Sequence, residues 1–308
     1  MPDERRETLC QIFIRCPKRN RNFGEKRMIY SINAFLWSDT IDETLLPILE
    51  QVREIGYTGI EFPLFAPDIE KCRIVGKAAA ELGLYVTSCT CRDAHDSPSS
   101  SDPAVRRRGI EENKRVLDCS AALGSRKLIG PYHTGIGCFT GVPVTEDEWK
   151  WTAESMRETA EYAKELGIMM ALECVNRFET YFINTIEEGL RFIRTVDHPN
   201  YRLMFDTFHA NIEEKSMAKA LDLLTPEELI HVHISANDRS TPCEGNIPWD
   251  QVFGPLKAMG YDETLCIEAF GCSLPKIAAA TKIWRKMYVS ETQLMTDALR
   301  FMKERWEG

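Results

Sequence analysis

The sequence predicts a (β/α)8 TIM barrel, and three features of the chain carry that expectation. Eight short runs rich in apolar, β-branched and aromatic residues alternate with segments of helical period. Several helical segments end in a glycine immediately before the next run, at Gly56, Gly83, Gly124, Gly167 and Gly260. A glycine there takes the left-handed position that turns a helix back into a strand. The runs are apolar throughout instead of alternating, as strands buried on both faces of a parallel sheet are. Eight strand–helix units with this punctuation describe a closed barrel better than an open, doubly wound sheet.

Taken in order, a first strand at about 28–35 leads through Asp42, a helix N-cap, into a helix at Glu43–Ile55. Strands at 58–64 and 84–90 flank a helix at Asp68–Leu82, and Asp102-Pro103 supplies cap and first-turn proline for the helix Pro103–Leu123. After the strand 126–130 comes a long loop, Gly130–Trp149, with Gly135, Gly137 and Gly141, long enough for a lid or an interface segment. Thr145 precedes Glu146 and Glu148 as the cap of the helix Glu146–Leu166. The remaining units are strands at 168–174, 202–206, 229–234 and 264–270, with helices at Thr185–Val196, Ser216–Leu224 and Trp249–Met259. Lys276–Trp306 reads as two further helices.

A hydrophobic content of 44% with 28% charged residues is ordinary for a protein with a full core. No stretch approaches the roughly 20 apolar residues that span a bilayer, so no membrane partner is expected. A net charge of −9 argues against nucleic acid as the main partner. The eleven cysteines are scattered; Cys89 and Cys91 form C-x-C and no second pair answers them. Most of them read as small buried hydrophobes in a reducing, cytoplasmic setting. Residues 1–27 carry eight Lys/Arg and four Asp/Glu, unlike the rest of the chain. Leu9–Ile14 is too short for a secretory segment, and Asp3, Glu4 and Glu7 speak against a mitochondrial presequence. The expectation is a disordered N-terminal extension over 1–27, upstream of a start at Met28, and a single domain over 28–308.

Four of the apolar runs stop on a residue able to bind a metal: Glu173, Asp206, His233 and Glu268, which stand 33, 27 and 35 residues apart. Each interval is one strand–helix unit, so the four converge at the C-terminal mouth of a barrel, where barrel chemistry resides. Three carboxylates and one imidazole suit Mn²⁺, with Co²⁺ or Mg²⁺ as alternatives, better than a structural zinc. One such residue alone would read as a helix cap or a surface ion pair; four at equivalent positions read as a divalent-metal site. His231, two residues before His233, faces the same way one layer deeper and reads as a core or supporting histidine. His95, His133 and His198 show no ligand spacing and read as plain surface or loop residues. Glu179, His209 and Arg239 stand in the loops above the ligand-bearing strands, where a hydroxyl-rich molecule would be held. Each alone is equally a surface salt bridge, and Asn176 and Arg177 brace that loop or touch ligand.

At these residues the chain resembles the D-tagatose 3-epimerase / D-psicose (D-allulose) 3-epimerase family of the xylose-isomerase-like barrel superfamily. The likeness is carried by ALECVNRFE (171–179), FDTFHANIEE (205–214), HVHISANDR (231–239), GNIPWDQVFGPLKAMGYD (245–262), IEAF (267–270) and IWRKM (283–287). The resemblance implies that Glu173, Asp206, His233 and Glu268 are metal ligands and that Glu173 and Glu268 are also the acid–base pair. It implies that Glu179, His209 and Arg239 hold the O1–O3 end of a ketose and that Phe270 lines an apolar wall. A homo-oligomer, dimer or tetramer, is expected.

The chemistry is coherent on its own terms. A proton α to a ketone is weakly acidic, and a divalent metal chelated by the C2 and C3 oxygens stabilises the enediolate formed when it leaves. Inversion at C3 then needs a base on one face and an acid on the other. A DNA-repair endonuclease on this fold would need a three-metal cluster and a basic face, which six histidines and the net charge do not supply. By family resemblance, an aldose–ketose isomerase would carry a second metal site and a catalytic lysine, and none stands at a matching strand end. An inositol-ketone dehydratase of the same superfamily shares the enolisation step and is the alternative to weigh. A non-catalytic sugar-binding barrel would more readily have lost one of the two glutamates. The expected substrate is a free ketose of the D-tagatose, D-psicose, D-fructose and L-ribulose class.

Overall fold

A computed structural model describes residues 28–308; the expected N-terminal extension lies outside the described residues. Eight parallel strands run β1 Ile29–Ile32, β2 Gly59–Pro63, β3 Tyr85–Cys89, β4 Lys127–Gly130, β5 Met169–Leu172, β6 Tyr201–Asp206, β7 Leu229–Ile234 and β8 Thr264–Ile267. They pair in the order β1-β8-β7-β6-β5-β4-β3-β2. The remaining seam, between β1 and β2, is joined by a parallel bridge from Asn33 to Glu61 and by the Thr58 amide donating to the Tyr30 carbonyl at 2.9 Å. The fold is therefore the TIM barrel that the alternation predicts.

The helices are α1 Leu46–Ile55, α2 Ile69–Glu81, α3 Pro103–Ala122, α4 Glu146–Glu165, α5 Ile186–Val196, α6 Thr207–Glu213, α7 Met217–Leu221, α8 Asp250–Ala258, α9 Pro275–Thr281 and α10 Glu291–Glu307. The expected caps form. Asp102 accepts from the Ala104 amide at 2.8 Å, and Thr145 with Glu148 closes a reciprocal capping box. The glycines expected at helix ends adopt positive φ, 69° at Gly83 and 73° at Gly124. The segment Glu43–Leu45 is a 3-10 turn leading into α1. α6 is a helix that the sequence reading left as loop; with seven residues it is two turns long, too short to show a helical period.

Side chains alternate along each strand. Ile60, Phe62, Leu128, Met170, Leu172, Leu203, Phe205, Val232, Leu265 and Ile267 belong to the large core between sheet and helices. Cys89, Ile129, Ala171 and Met204 form a separate cluster that fills the barrel interior. At the floor, Lys127 reaches from β4 to Glu263 (2.9 Å) and Thr264 (3.2 Å) beside β8. This buried lysine stands at the N-terminal end of its strand, opposite the mouth, and ties β4 to β7 and β8. The loop 131–145 between β4 and α4 has no regular helix or strand and exposes Phe139 and Val142.

Candidate active site

The barrel brings Glu173, Asp206, His233 and Glu268 together at its C-terminal mouth. Asp206 ends β6 and His233 is the penultimate residue of β7, while Glu173 and Glu268 come one residue after β5 and β8. All four are buried, and one ligand atom from each lies within 4.8 Å of the others. His233 Nδ1 is 3.3 Å from Asp206 Oδ2 and 3.4 Å from Glu268 Oε1.

Burial and the neighbouring Glu268 and Asp206 charges push the Glu173 carboxyl well above the usual range. Burial alone would raise Asp206 too, but the positive charge of Arg239, with His209 and His233, outweighs it and holds Asp206 low. Burial opposes the charged form of His233, and Glu268 and Glu61 outweigh it, so the imidazole is held well above its ordinary value. Three carboxylates crowded out of water are costly unless a cation joins them. The donor set, its burial and its spacing therefore fit a divalent cation.

Arg239 enters from the loop after β7 with a left-handed backbone, φ 63°. Its Nη1 donates to Asp206 Oδ2 at 3.2 Å, to Ser235 Oγ at 3.1 Å and to Glu268. The guanidinium lies over the Phe208 ring at 3.8 Å and the Phe270 ring at 5.2 Å. Phe270 also packs on Phe35, which packs on the half-exposed Phe65, so an aromatic wall rises over β8, β1 and β2.

His209 stands in the first turn of α6, not in a loop, and the helix aims it back at the cluster. Its Nδ1 accepts from the Asn176 amide at 3.0 Å, which leaves the proton on Nε2. Nε2 lies 3.5 Å from Glu173 Oε1 and 2.9 Å from Arg239 Nη2. Burial and the Arg239 charge keep this imidazole below its ordinary value. Asn176 also donates to Glu179 Oε1 at 2.9 Å, and Arg177 forks onto Glu213 at 2.7–3.0 Å. Both residues thus brace the loop that carries Glu179 against α6.

Two other histidine readings change. His133 is fully buried beside the Phe182 and Phe192 rings, and the His198 side chain is largely buried against Glu161 at 2.8 Å. His95 is exposed, as expected. The nine described cysteines are all free, five of them buried.

Sequence reasoning missed Glu61. It sits on β2 with no exposed surface; its Oε1 is 2.9 Å from His233 Nε2 and its Oε2 3.1 Å from His231 Nε2. His231 is therefore a supporting histidine, one layer below the mouth. The available signal was a carboxylate inside GIEFP, a strand buried at every position, since a buried carboxylate requires partners.

The profile of the xylose isomerase-like TIM barrel family matches residues 49–305. An L-ribulose 3-epimerase of Mesorhizobium japonicum is 32% identical over 274 residues, 88% of this chain and 92% of that protein. A D-psicose 3-epimerase of Ruminiclostridium cellulolyticum is 29% identical over 293 residues, 90% of this chain and 98% of its own. The crystal structure of D-allulose 3-epimerase from Methylomonas sp. in complex with D-allulose superposes with a TM-score of 0.85 at 30% identity, covering 91% of this chain and 98% of that one. With a barrel of this topology and mouth residues of this kind, the chain belongs to the xylose isomerase-like TIM barrel family, within its group of ketose 3-epimerases.

Proposed function

We propose that the protein is a metal-dependent ketose 3-epimerase acting on a free ketose of the D-tagatose, D-psicose, D-fructose and L-ribulose class. One observation carries the reading: glutamates from β5 and β8 meet in a buried four-residue cluster at the barrel mouth, beside two neighbouring hydrogen-bond donors. Glu173, Asp206, His233 and Glu268 would hold one divalent cation, and their oxygen-rich set favours Mn²⁺ over zinc. Bound there, the cation supplies positive charge where negative charge builds on the ketose oxygens as the C3 proton leaves.

The chain's own residues do the rest. Glu173 and Glu268 arrive from β5 and β8, three strand positions apart around the barrel. One removes the proton from C3 and the other returns a proton to the opposite face, and the roles exchange with reaction direction. The Nε2–H of His209 and the Nη2–H of Arg239 are both donors and cannot bond to each other. Side by side at 2.9 Å, they can both donate to one acceptor in front of them, which an oxygen at the O1–O3 end of the ketose would supply. Glu179, held by Asn176, accepts from a neighbouring hydroxyl. Phe270 and Phe35 offer the rest of the sugar an apolar face that excludes water from the reacting carbon.

The test is a panel of free ketoses followed by NMR with Mn²⁺ present, in water and in deuterium oxide. Formation of the C3 epimer with deuterium at C3 is expected. Turnover of none of them, or loss of water from an inositol-derived ketone instead, would refute the proposal.

A further inference from the structure

We propose that Glu61 is the positioning residue for His233: it holds Nε2 of the ring so that Nδ1 alone is presented to the three carboxylates. The inference rests on the reading of Glu173, Asp206, His233 and Glu268 as ligands of one cation.

The two nitrogens of His233 face different surroundings. Nδ1 looks into the cluster, at Asp206 and Glu268. Nε2 looks down into the barrel, 2.9 Å from Glu61 Oε1. An imidazole that ligates through Nδ1 keeps its proton on Nε2, and a carboxylate accepting that proton fixes the ring and makes Nδ1 a better donor to a cation. Glu61 is itself held by two further hydrogen bonds and lies close to a second imidazole. Asn33 Nδ2 donates to Oε1 at 2.8 Å, Thr87 Oγ1 donates to Oε2 at 2.9 Å, and His231 Nε2 stands 3.1 Å from Oε2. These partners come from the end of β1, from β3 and from β7. Glu61 also forms the bridge with Asn33 across the β1–β2 seam. The residue that closes the barrel therefore also orients the histidine at its mouth.

Cys266, His231, Glu61 and His233 form a second buried set whose ligand atoms lie within 4.8 Å of one another, and such a set can hold a cation of its own. The donors of Asn33 and Thr87 already engage both Glu61 oxygens, which favours positioning over ligation, and stoichiometry decides between the two.

The experiment measures Mn²⁺ affinity of the full chain, wild type and Glu61→Gln, from the EPR signal of free Mn²⁺, with urea stability recorded in parallel. Wild type is expected to bind one Mn²⁺ per chain, and Glu61→Gln to bind it about 10- to 100-fold more weakly while folded. In the proton NMR spectrum of Co²⁺-loaded wild type, one slowly exchanging, hyperfine-shifted imidazole N–H is expected, the Nε2–H held by Glu61. That spectrum decides the matter even if the variant fails to fold. Affinity within twofold of wild type in a folded Glu61→Gln would overturn this role alone, as would two Mn²⁺ per wild-type chain or absence of that N–H. Wild type that binds neither metal would overturn the four-ligand reading, and this role with it.

Discussion

Arg239→Met should tighten metal binding while nearly abolishing turnover. The guanidinium donates to Asp206 and Glu268, two of the proposed ligands, so its positive charge competes with a cation for the same oxygens. Methionine keeps the unbranched stem and can still lie between Phe208 and Phe270, so packing changes little. Two unit charges about 4 Å apart at an effective dielectric of about 20 interact by about 4 kcal/mol, which bounds the gain. Relaxation and the lost hydrogen bonds take back much of it, leaving an expected tightening of at least about tenfold, or about 1.4 kcal/mol. The metal-free variant should move the other way, losing about 3 kcal/mol of stability because buried carboxylates are left without a counter-charge.

Titration with Mn²⁺ and urea unfolding with and without the metal measure both effects on one preparation. Arg239→Lys separates charge from shape: it keeps the cation and loses the planar fork, so metal affinity should stay near wild type while kcat/KM still falls by at least about tenfold. Weaker Mn²⁺ binding by Arg239→Met would refute the argument, because it would mean that the arginine assembles the ligands instead of competing for them.

Asp206→Asn and His233→Ala should each purify with much less than the one divalent ion per chain expected of wild type, and chelation should abolish activity; undiminished metal in both sinks the site assignment. Glu173→Gln and Glu268→Gln should each cut turnover by at least about a thousandfold, with metal binding weakened less than by loss of the histidine; activity surviving in both excludes the acid–base pair. Free ketoses should be preferred to their phosphates by at least about a hundredfold in kcat/KM, because three carboxylates around one dication disfavour a dianion. The strongest cation nearby, Arg239, is already engaged, and Lys276 is exposed; the reverse preference overturns this. Burial pushes His133 down to about 3, so between that pH and its ordinary value the unfolded chain binds a proton that the folded chain does not. Stability should fall as pH drops through that window by up to about 1.4 kcal/mol per unit, and less steeply in His133→Leu; equal slopes in urea unfolding rule it out.

The barrel was legible because strands buried on both faces leave a continuous apolar signature, and because glycine at helix ends is demanded by backbone geometry. The four mouth residues were legible for a related reason: parallel strands place equivalent chain positions at one end, so spacing alone predicts convergence. What stayed hidden was contact between distant segments. Glu61 meets His233 across 172 residues of chain, and no local pattern says which strand faces it across the barrel. His133 lies in a loop by sequence, yet Phe182 and Phe192, 49 and 59 residues later, pack against it. Arg239 reads as a ligand contact from its place after β7; that it bridges two carboxylates between two aromatic rings depends on β6, β7 and β8 meeting in space.

Asp206 shows why the structural and functional readings of a strand-end carboxylate are not alternatives. Its Oδ1 accepts from the Phe208 and His209 amides and so caps α6, the helix that carries His209. Its Oδ2 faces His233 and Arg239. One side chain thus anchors the donor helix with one oxygen and completes the cluster with the other, which ties the position of His209 to that of the proposed cation. Asparagine can keep the cap through its own oxygen while removing the charge; alanine removes both, at an added cost of about 1 kcal/mol in stability. Through this coupling, Asp206→Ala should weaken substrate binding by displacing His209, beyond what loss of metal explains. Asp206→Asn, at matched metal occupancy, should not.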